Sequence, residues 1–162
     1  MLALLDPSRL SVSEYERYLA TIQETFAEVN ARHGEVIELR VADNFPQSVA
    51  AYKQFDVLLV NAIFDGMNLV AKEAPLVNER DGVVVLSENA GAHAELGEWA
   101  LTVNPFDVAG QAEAIEQALS MDAGERHARL EAIRAHVREH DLNWWTNTLL
   151  AALDRVASPA RR

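Results

Sequence analysis

The sequence contains no cysteine, which excludes disulfides, thiolate nucleophiles and cysteine-ligated zinc or iron–sulfur sites together. That fits a reducing compartment, and a cytoplasmic location is expected. Lysine is almost absent: Lys53 and Lys72 are the only two. Lys plus Arg number 14 against 25 Asp plus Glu, a formal net charge of −11. Non-specific nucleic-acid binding needs a cationic face, so no nucleic-acid partner is expected. No apolar run approaches the ~18 residues of a membrane span, and Met1–Leu5 is too short and uncharged for a signal peptide. There is no GxGxxG after the first apolar run and no GxxxxGK[ST], so dinucleotide and Walker-type readings lack their fingerprints. What remains is an ordinary globular balance, 49% hydrophobic and 24% charged over 162 residues, enough for about one domain.

Periodicity orders this material. Leu2–Leu5 is a short apolar run closed by Asp6-Pro7-Ser8, the pattern of a strand entering a loop. Ser11 or Ser13 offers an N-cap to a helix whose Tyr15, Leu19, Ile22, Phe26 and Val29 share one face, and Gly34 ends it. Val36–Val41 alternates like an edge strand, and Pro46 suits the first turn of a short helix to about Gln54. Asp56–Val60 and Val83–Leu86 are unbroken apolar runs, which predicts burial on both faces of a parallel sheet. A helix from about Met67 to Val77 lies between them, and Leu101–Val103 reads as a fifth strand. The last third is helical, with inward stripes expected at Val108, Ala112, Ile115 and Leu119, at Leu130, Ile133 and Val137, and at Leu142, Trp145, Leu149 and Leu153. This order predicts an α/β, Rossmann-like doubly wound parallel sheet of about five strands over residues 1–157, followed by a frayed tail at 158–162.

Ligands of such sheets bind beyond the carboxyl ends of the strands. Four loops leave those ends: Asp6–Arg9, Asn61–Asn68, Ser87–His93 and Asn104–Asp107. The second runs into a helix, so amides near Asn68, Leu69 and Val70 are expected at its positive end, an anion site that Gly66 lets a ligand approach closely. Glu73 follows Asp65 by eight positions, which on a continuous helix sets both acids on one face. They would grip hydroxyls on either side of a bound phosphate, or else Asp65 caps the helix and Glu73 is merely solvated. His136 and His140 read as surface histidines rather than a metal pair, and His93 as a local cap or packing group. Of Trp144 and Trp145, at least one ring is expected in the core.

Asp65-Gly-Met-Asn-Leu-Val-Ala-Lys-Glu73, with Ser87-Glu-Asn-Ala-Gly-Ala92, Val103-Asn-Pro-Phe-Asp107 and Asp6-Pro-Ser-Arg9, resembles the C-terminal, donor-binding half of the trehalose-6-phosphate synthases, retaining GT-B glycosyltransferases. The likeness runs from Leu2 to about Val156. It implies catalytic Asp65 on the donor glucose, helped by backbone groups of Gly66, Met67 and Asn68. It implies amides of Leu69 and Val70 on the diphosphate, Glu73 on the ribose, the backbone of Phe45 at the uracil and Arg9 at the acceptor phosphate. The partners implied are UDP-glucose or UDP and glucose 6-phosphate, with no metal or other cofactor. Nothing here matches the family's N-terminal acceptor domain, its diphosphate-neutralising cations or the first strand of this domain. A fragment, a truncated product or half of a split enzyme is therefore expected, inactive or nearly so alone. It would form oligomers, take a complementing chain, or close its gap by pairing Leu2–Leu5 with Asp56–Val60. The alternatives are a non-catalytic nucleotide-sugar-binding subunit and a synthase with another donor or acceptor.

Overall fold

A computed structural model of the protein describes residues 1–7 and 12–157. Arg9, Ser11 and the tail at 158–162 lie outside the described residues. The chain divides into two units, residues 1–50 and residues 51 onward.

In the first unit β1 (Leu2–Leu5) pairs in parallel with β2 (Glu38–Val41), Leu2 opposite Glu38 and Leu5 opposite Val41. Between them runs α1 (Ser13–His33). Leu19, Ile22, Phe26 and Val29 are half-buried on its expected face, while Tyr15 is exposed. Val12 occupies the cap position without a side-chain bond and Ser13 is already helical, so Ser13 is not the cap; the other candidate, Ser11, lies outside the described residues. Gly34 stops the helix in a backbone conformation, φ 82°, that side chains resist. Asn30 then pins the return, its Oδ1 accepting the amides of Val36 and Ile37 and its Nδ2 donating to the Ile37 carbonyl. β2 is shorter than its alternating pattern: Asn30 takes the Val36 and Ile37 amides, while the Val36 carbonyl accepts the Met1 amino group at 2.7 Å. Helix α2 (Phe45–Gln54) follows, with the Asn44 side chain accepting the Gln47 amide.

The second unit is a parallel sheet ordered β3 (Val57–Val60), β4 (Val83–Ser87), β5 (Leu101–Val103), crossed over by α3 (Val70–Val77) and the single turn α4 (His93–Leu96). Helices α5 (Val108–Ser120), α6 (Ala123–Glu139) and α7 (Leu142–Ala157) complete it. β4 is buried along its whole length. Val84 and Leu86 pack with Ala71 of α3 and Ile133 of α6 on one face; Val83 and Val85 pack with Ala114 and Ala118 of α5 on the other. Each such side chain removed from water contributes roughly 1.5–3 kcal/mol. Helices therefore cover both faces, the α/β layering that the unbroken apolar run predicted.

The α/β class with five parallel strands stands as expected, and narrower expectations fail for identifiable reasons. The strands lie in two sheets, and among the described residues β1 pairs only with β2 and β3 only with β4, so β1 and β3 do not pair directly across the expected gap. β3 is accordingly half-buried rather than buried, because it is an edge strand. On α5 the buried stripe is Gln111, Ala114 and Ala118, with Val108 and Leu119 exposed; small side chains set the helix against the sheet, and Gln111 is buried because its amide is bonded to Asn61 and to the Pro105 carbonyl. Both Trp144 and Trp145 are exposed, as are Leu142, Leu149 and Leu153 of α7. The α6 stripe stands as expected: Leu130 and Ile133 are buried and Val137 packs beside them.

Candidate functional site

The loops leaving β3 and β4 are stitched together. Asp65 forms an isolated parallel bridge with Ala90: its amide donates to the Asn89 carbonyl at 3.3 Å and its carbonyl accepts the Gly91 amide at 2.9 Å. The Ala92 amide donates to the Met67 carbonyl at 2.7 Å, and the buried Ser87 hydroxyl donates to the Ala62 carbonyl at 2.7 Å. A side chain at Gly91 would place its Cβ 2.1 Å from the Gly66 oxygen, so only glycine permits this approach. The β5 loop joins through Asn104, whose Nδ2 donates to Glu88 Oε1 at 2.7 Å. Three of the four expected loops thus form one connected edge; of the fourth, Asp6 belongs to the other unit, and Ser8 and Arg9 lie outside the described residues.

At this edge α3 starts later than its apolar pattern suggests, at Val70 rather than Met67. Asp65 Oδ1 accepts the amides of Met67 and Asn68, at 3.1 and 3.0 Å, and Asn68 sits at φ 69°, a conformation asparagine tolerates better than most side chains. Asp65 therefore lies in a turn ahead of the helix, and helical periodicity cannot set it on one face with Glu73. Its carboxylate does cap, as the alternative reading held, but it caps the turn. The Asn68 side chain takes the amide of Ala71 on Oδ1 at 3.1 Å. Lys72 and Glu73 amides both donate to the Leu69 carbonyl.

Among the described residues the amides of Leu69 and Val70 have no acceptor, and the exposed Glu73 carboxylate has no hydrogen-bonding or ionic partner. Two donors at the positive end of α3 are left open beside a fixed carboxylate. Open space adjoins Gly66, where an added Cβ would meet nothing within 4 Å. Lys72 is no spare cation: its Nζ lies 2.7 and 2.8 Å from the two oxygens of Glu95, which also faces His136 Nε2 at 3.3 Å. Burial pushes the Glu95 carboxyl up, but the Lys72 hydrogen bond and charge and then His136 outweigh it and hold the group below its usual range.

Asp65, Gly66, Met67, Asn68, Leu69, Val70 and Glu73 are thus one continuous turn and helix opening. Phe45 begins α2 in the first unit with its side chain exposed, and Arg9 lies outside the described residues. His93 has the local role expected, Nε2 lying 2.9 Å from Thr102 Oγ1. His136 and His140 are half-buried rather than surface groups, their rings stacked with centroids 4.1 Å apart. Among the described residues no three His, Asp or Glu side chains cluster as metal ligands would. The scaffolding by Ser87 and Gly91 and the side-chain role of Asn68 were not anticipated. Gly91 within a polar loop and an asparagine just ahead of an apolar helical run are signals that could have pointed to them.

A βαβ unit with a tight turn opening onto free helix-end amides can receive an anion. The chain belongs to Glycosyltransferase family 20, whose family model matches residues 1–155. It is 37% identical over 154 residues to a validamine 7-phosphate valienyltransferase of Streptomyces hygroscopicus subsp. jinggangensis, covering 94% of this chain and 31% of that protein. In structure it is similar to an alpha,alpha-trehalose-phosphate synthase (UDP-forming) of Burkholderia xenovorans in complex with glucose-6-phosphate, with TM-score 0.87, 32% identity, and 94% of this chain and 35% of that one covered. A trehalose-6-phosphate protein from E. coli bound with UDP-2-fluoro glucose matches with TM-score 0.85, 30% identity and the same coverages. The chain spans about a third of the length of these relatives.

Proposed function

We propose that this chain is the nucleotide-sugar-binding half of a retaining glycosyltransferase that moves glucose from UDP-glucose to glucose 6-phosphate. The observation that carries the reading is the open amide pair of Leu69 and Val70 between the Asp65 carboxylate and the unpartnered Glu73. In it the two amides receive the diphosphate, Asp65 holds the glucose beside the Gly66 backbone, Met67 and Asn68 support that acid through the amides it already accepts, and Glu73 takes the ribose hydroxyls. By resemblance to the family, the uracil is assigned to the backbone of Phe45 and the acceptor phosphate to Arg9, whose guanidinium fork suits such oxygens.

The bond from glucose C1 to the diphosphate breaks, its electron pair leaving with UDP. A bond from C1 to the acceptor's C1 oxygen forms on the same face, and the acceptor hydroxyl's proton passes to the departing phosphate oxygen of UDP. Fixed donors aimed at the departing diphosphate lower the barrier because they need no reorganisation as charge develops. No metal or other cofactor enters this reading. The acceptor wall is supplied by a complementing chain or domain, without which turnover is negligible, and the setting is cytoplasmic. Among the described residues no helix is long and apolar enough to cross a membrane.

Calorimetric titration tests this. Wild type is expected to bind UDP and UDP-glucose, and Asp65→Ala to lose UDP-glucose affinity by about tenfold or more, the worth of a charge-assisted hydrogen bond. Trehalose 6-phosphate is expected only after adding a polypeptide that covers the relatives' remaining two-thirds. Absence of UDP binding would end the reading; binding without turnover in the mixture would favour a non-catalytic nucleotide-sugar-binding subunit. Similarity to the valienyltransferase supports a second reading, the same chemistry with another donor or acceptor, which a panel of nucleotide sugars and sugar phosphates distinguishes.

A further inference from the structure

We propose that the side chain of Asn68 is a positioning residue that fixes the Asp65 carboxylate relative to the open amides of Leu69 and Val70, so that sugar and diphosphate are met at one spacing. The inference rests on the donor-site reading above. Asn68 Nδ2 donates to Asp65 Oδ2 at 3.0 Å while Asn68 Oδ1 accepts the Ala71 amide at 3.1 Å. Its backbone amide donates to Asp65 Oδ1 at 3.0 Å. Ala71 is fully buried among the core side chains packed on β4, so one end of this link is anchored in the fold and the other holds the exposed acid.

Only a side chain with both a donor and an acceptor closes such a link. The Asp65 carboxylate accepts and cannot donate when ionised, so its partner must bring an N–H or O–H; the Ala71 amide donates, so the same partner must bring an oxygen. Asparagine supplies both and also tolerates the φ of 69° that aims it between them. With Oδ1 held by backbone amides and Oδ2 by Asn68, the acid cannot rotate freely. A ligand touching both the acid and the helix end is then bound without ordering Asp65 first.

Two variants divide the link. Asn68→Asp keeps an acceptor for Ala71 but sets a second carboxylate against Asp65, whereas Asn68→Gly keeps the backbone conformation and removes both bonds. Asn68→Asp is expected to melt near wild type, to bind UDP within about twofold, and to bind UDP-glucose about tenfold more weakly. Asn68→Gly is expected to show the same split with a lower melting temperature. Parallel losses for UDP and UDP-glucose, or no loss, would overturn the proposal and leave Asn68 a helix cap only. Wild type binding neither ligand would sink the donor-site reading, and a ligand-free measurement then decides this one. Hydrogen exchange at the Met67 amide should quicken by about tenfold in Asn68→Asp, and unchanged protection would overturn the link itself.

Discussion

The three-stranded sheet of the second unit has two edges built from similar residues and put to opposite use. At the edge where β3 and β4 begin, the polar groups are committed to one another. Buried Asn78 donates to the carbonyls of Tyr52 and Phe55 and accepts the amides of Arg80 and Gly82. Arg80 and Arg126 both reach Asp56, at 2.9 and 3.8 Å, Arg126 also donates to the Asp81 carbonyl, and His127 meets the Asp81 carboxylate at 3.0 Å. At the edge where the strands end, loops are held just as firmly, yet the Leu69 and Val70 amides and the Glu73 carboxylate are left open. The contrast separates polar residues that hold the fold from polar groups that the fold holds ready. Rigid geometry with vacant hydrogen-bonding capacity marks the second kind, and an exposed charge alone does not.

The comparison breaks most visibly at Asn78. Asn78→Ala removes four hydrogen bonds and leaves backbone groups buried without partners, so a loss of about 3 kcal/mol or more is expected in urea denaturation. Affinity of the folded fraction for UDP should be unchanged. Glu73→Ala is the mirror experiment. Its carboxylate has no partner to lose, so stability should stay within about 0.5 kcal/mol, while UDP affinity falls about tenfold. A Glu73→Ala protein as unstable as Asn78→Ala would erase the distinction between the two edges.

How much of this was legible in the sequence depended on whether a local pattern or a distant partner decided the outcome. The run at Val83–Leu86 announced a strand covered on both faces, and Leu130 and Ile133 announced the inward stripe of α6, because burial leaves a direct mark on composition. The start of α3 departs from its pattern because apolar spacing continues through Met67 while hydrogen bonding does not; the Asp65 carboxylate captures two amides and Asn68 turns left-handed. Propensity has no term for that competition. The stripe of α5 departs from its apolar spacing because Gln111 goes inside to meet Asn61, fifty positions away. For α7 the periodicity was sound but periodicity names a face, not what covers it. The motif at Asp65–Glu73 located the candidate site by resemblance, and the vacant amides then gave it a geometry that spacing alone could not.

The smallest expected effect concerns the tie beneath the open edge. Lys72 on α3 meets Glu95 on α4, which also faces His136 on α6, so one carboxylate joins three helices. Glu95 is held below its ordinary range in the folded protein, so its ionised form contributes stability that is fully present above the unfolded value of about 4.3 and is lost as pH falls through the folded value. With 38% of its side chain exposed, solvent screens the pair, and the contribution should not exceed about 1 kcal/mol. Urea denaturation of wild type and Glu95→Gln should therefore differ at pH 7 and converge near pH 3. A difference that persisted at pH 3 would mean that packing rather than charge joins these helices. If UDP affinity at pH 7 nevertheless followed the Glu95→Gln change, the tie would belong with the groups that set the α3 amides in place, and the line between holding the fold and holding the ligand would run through Lys72 rather than through Asn68.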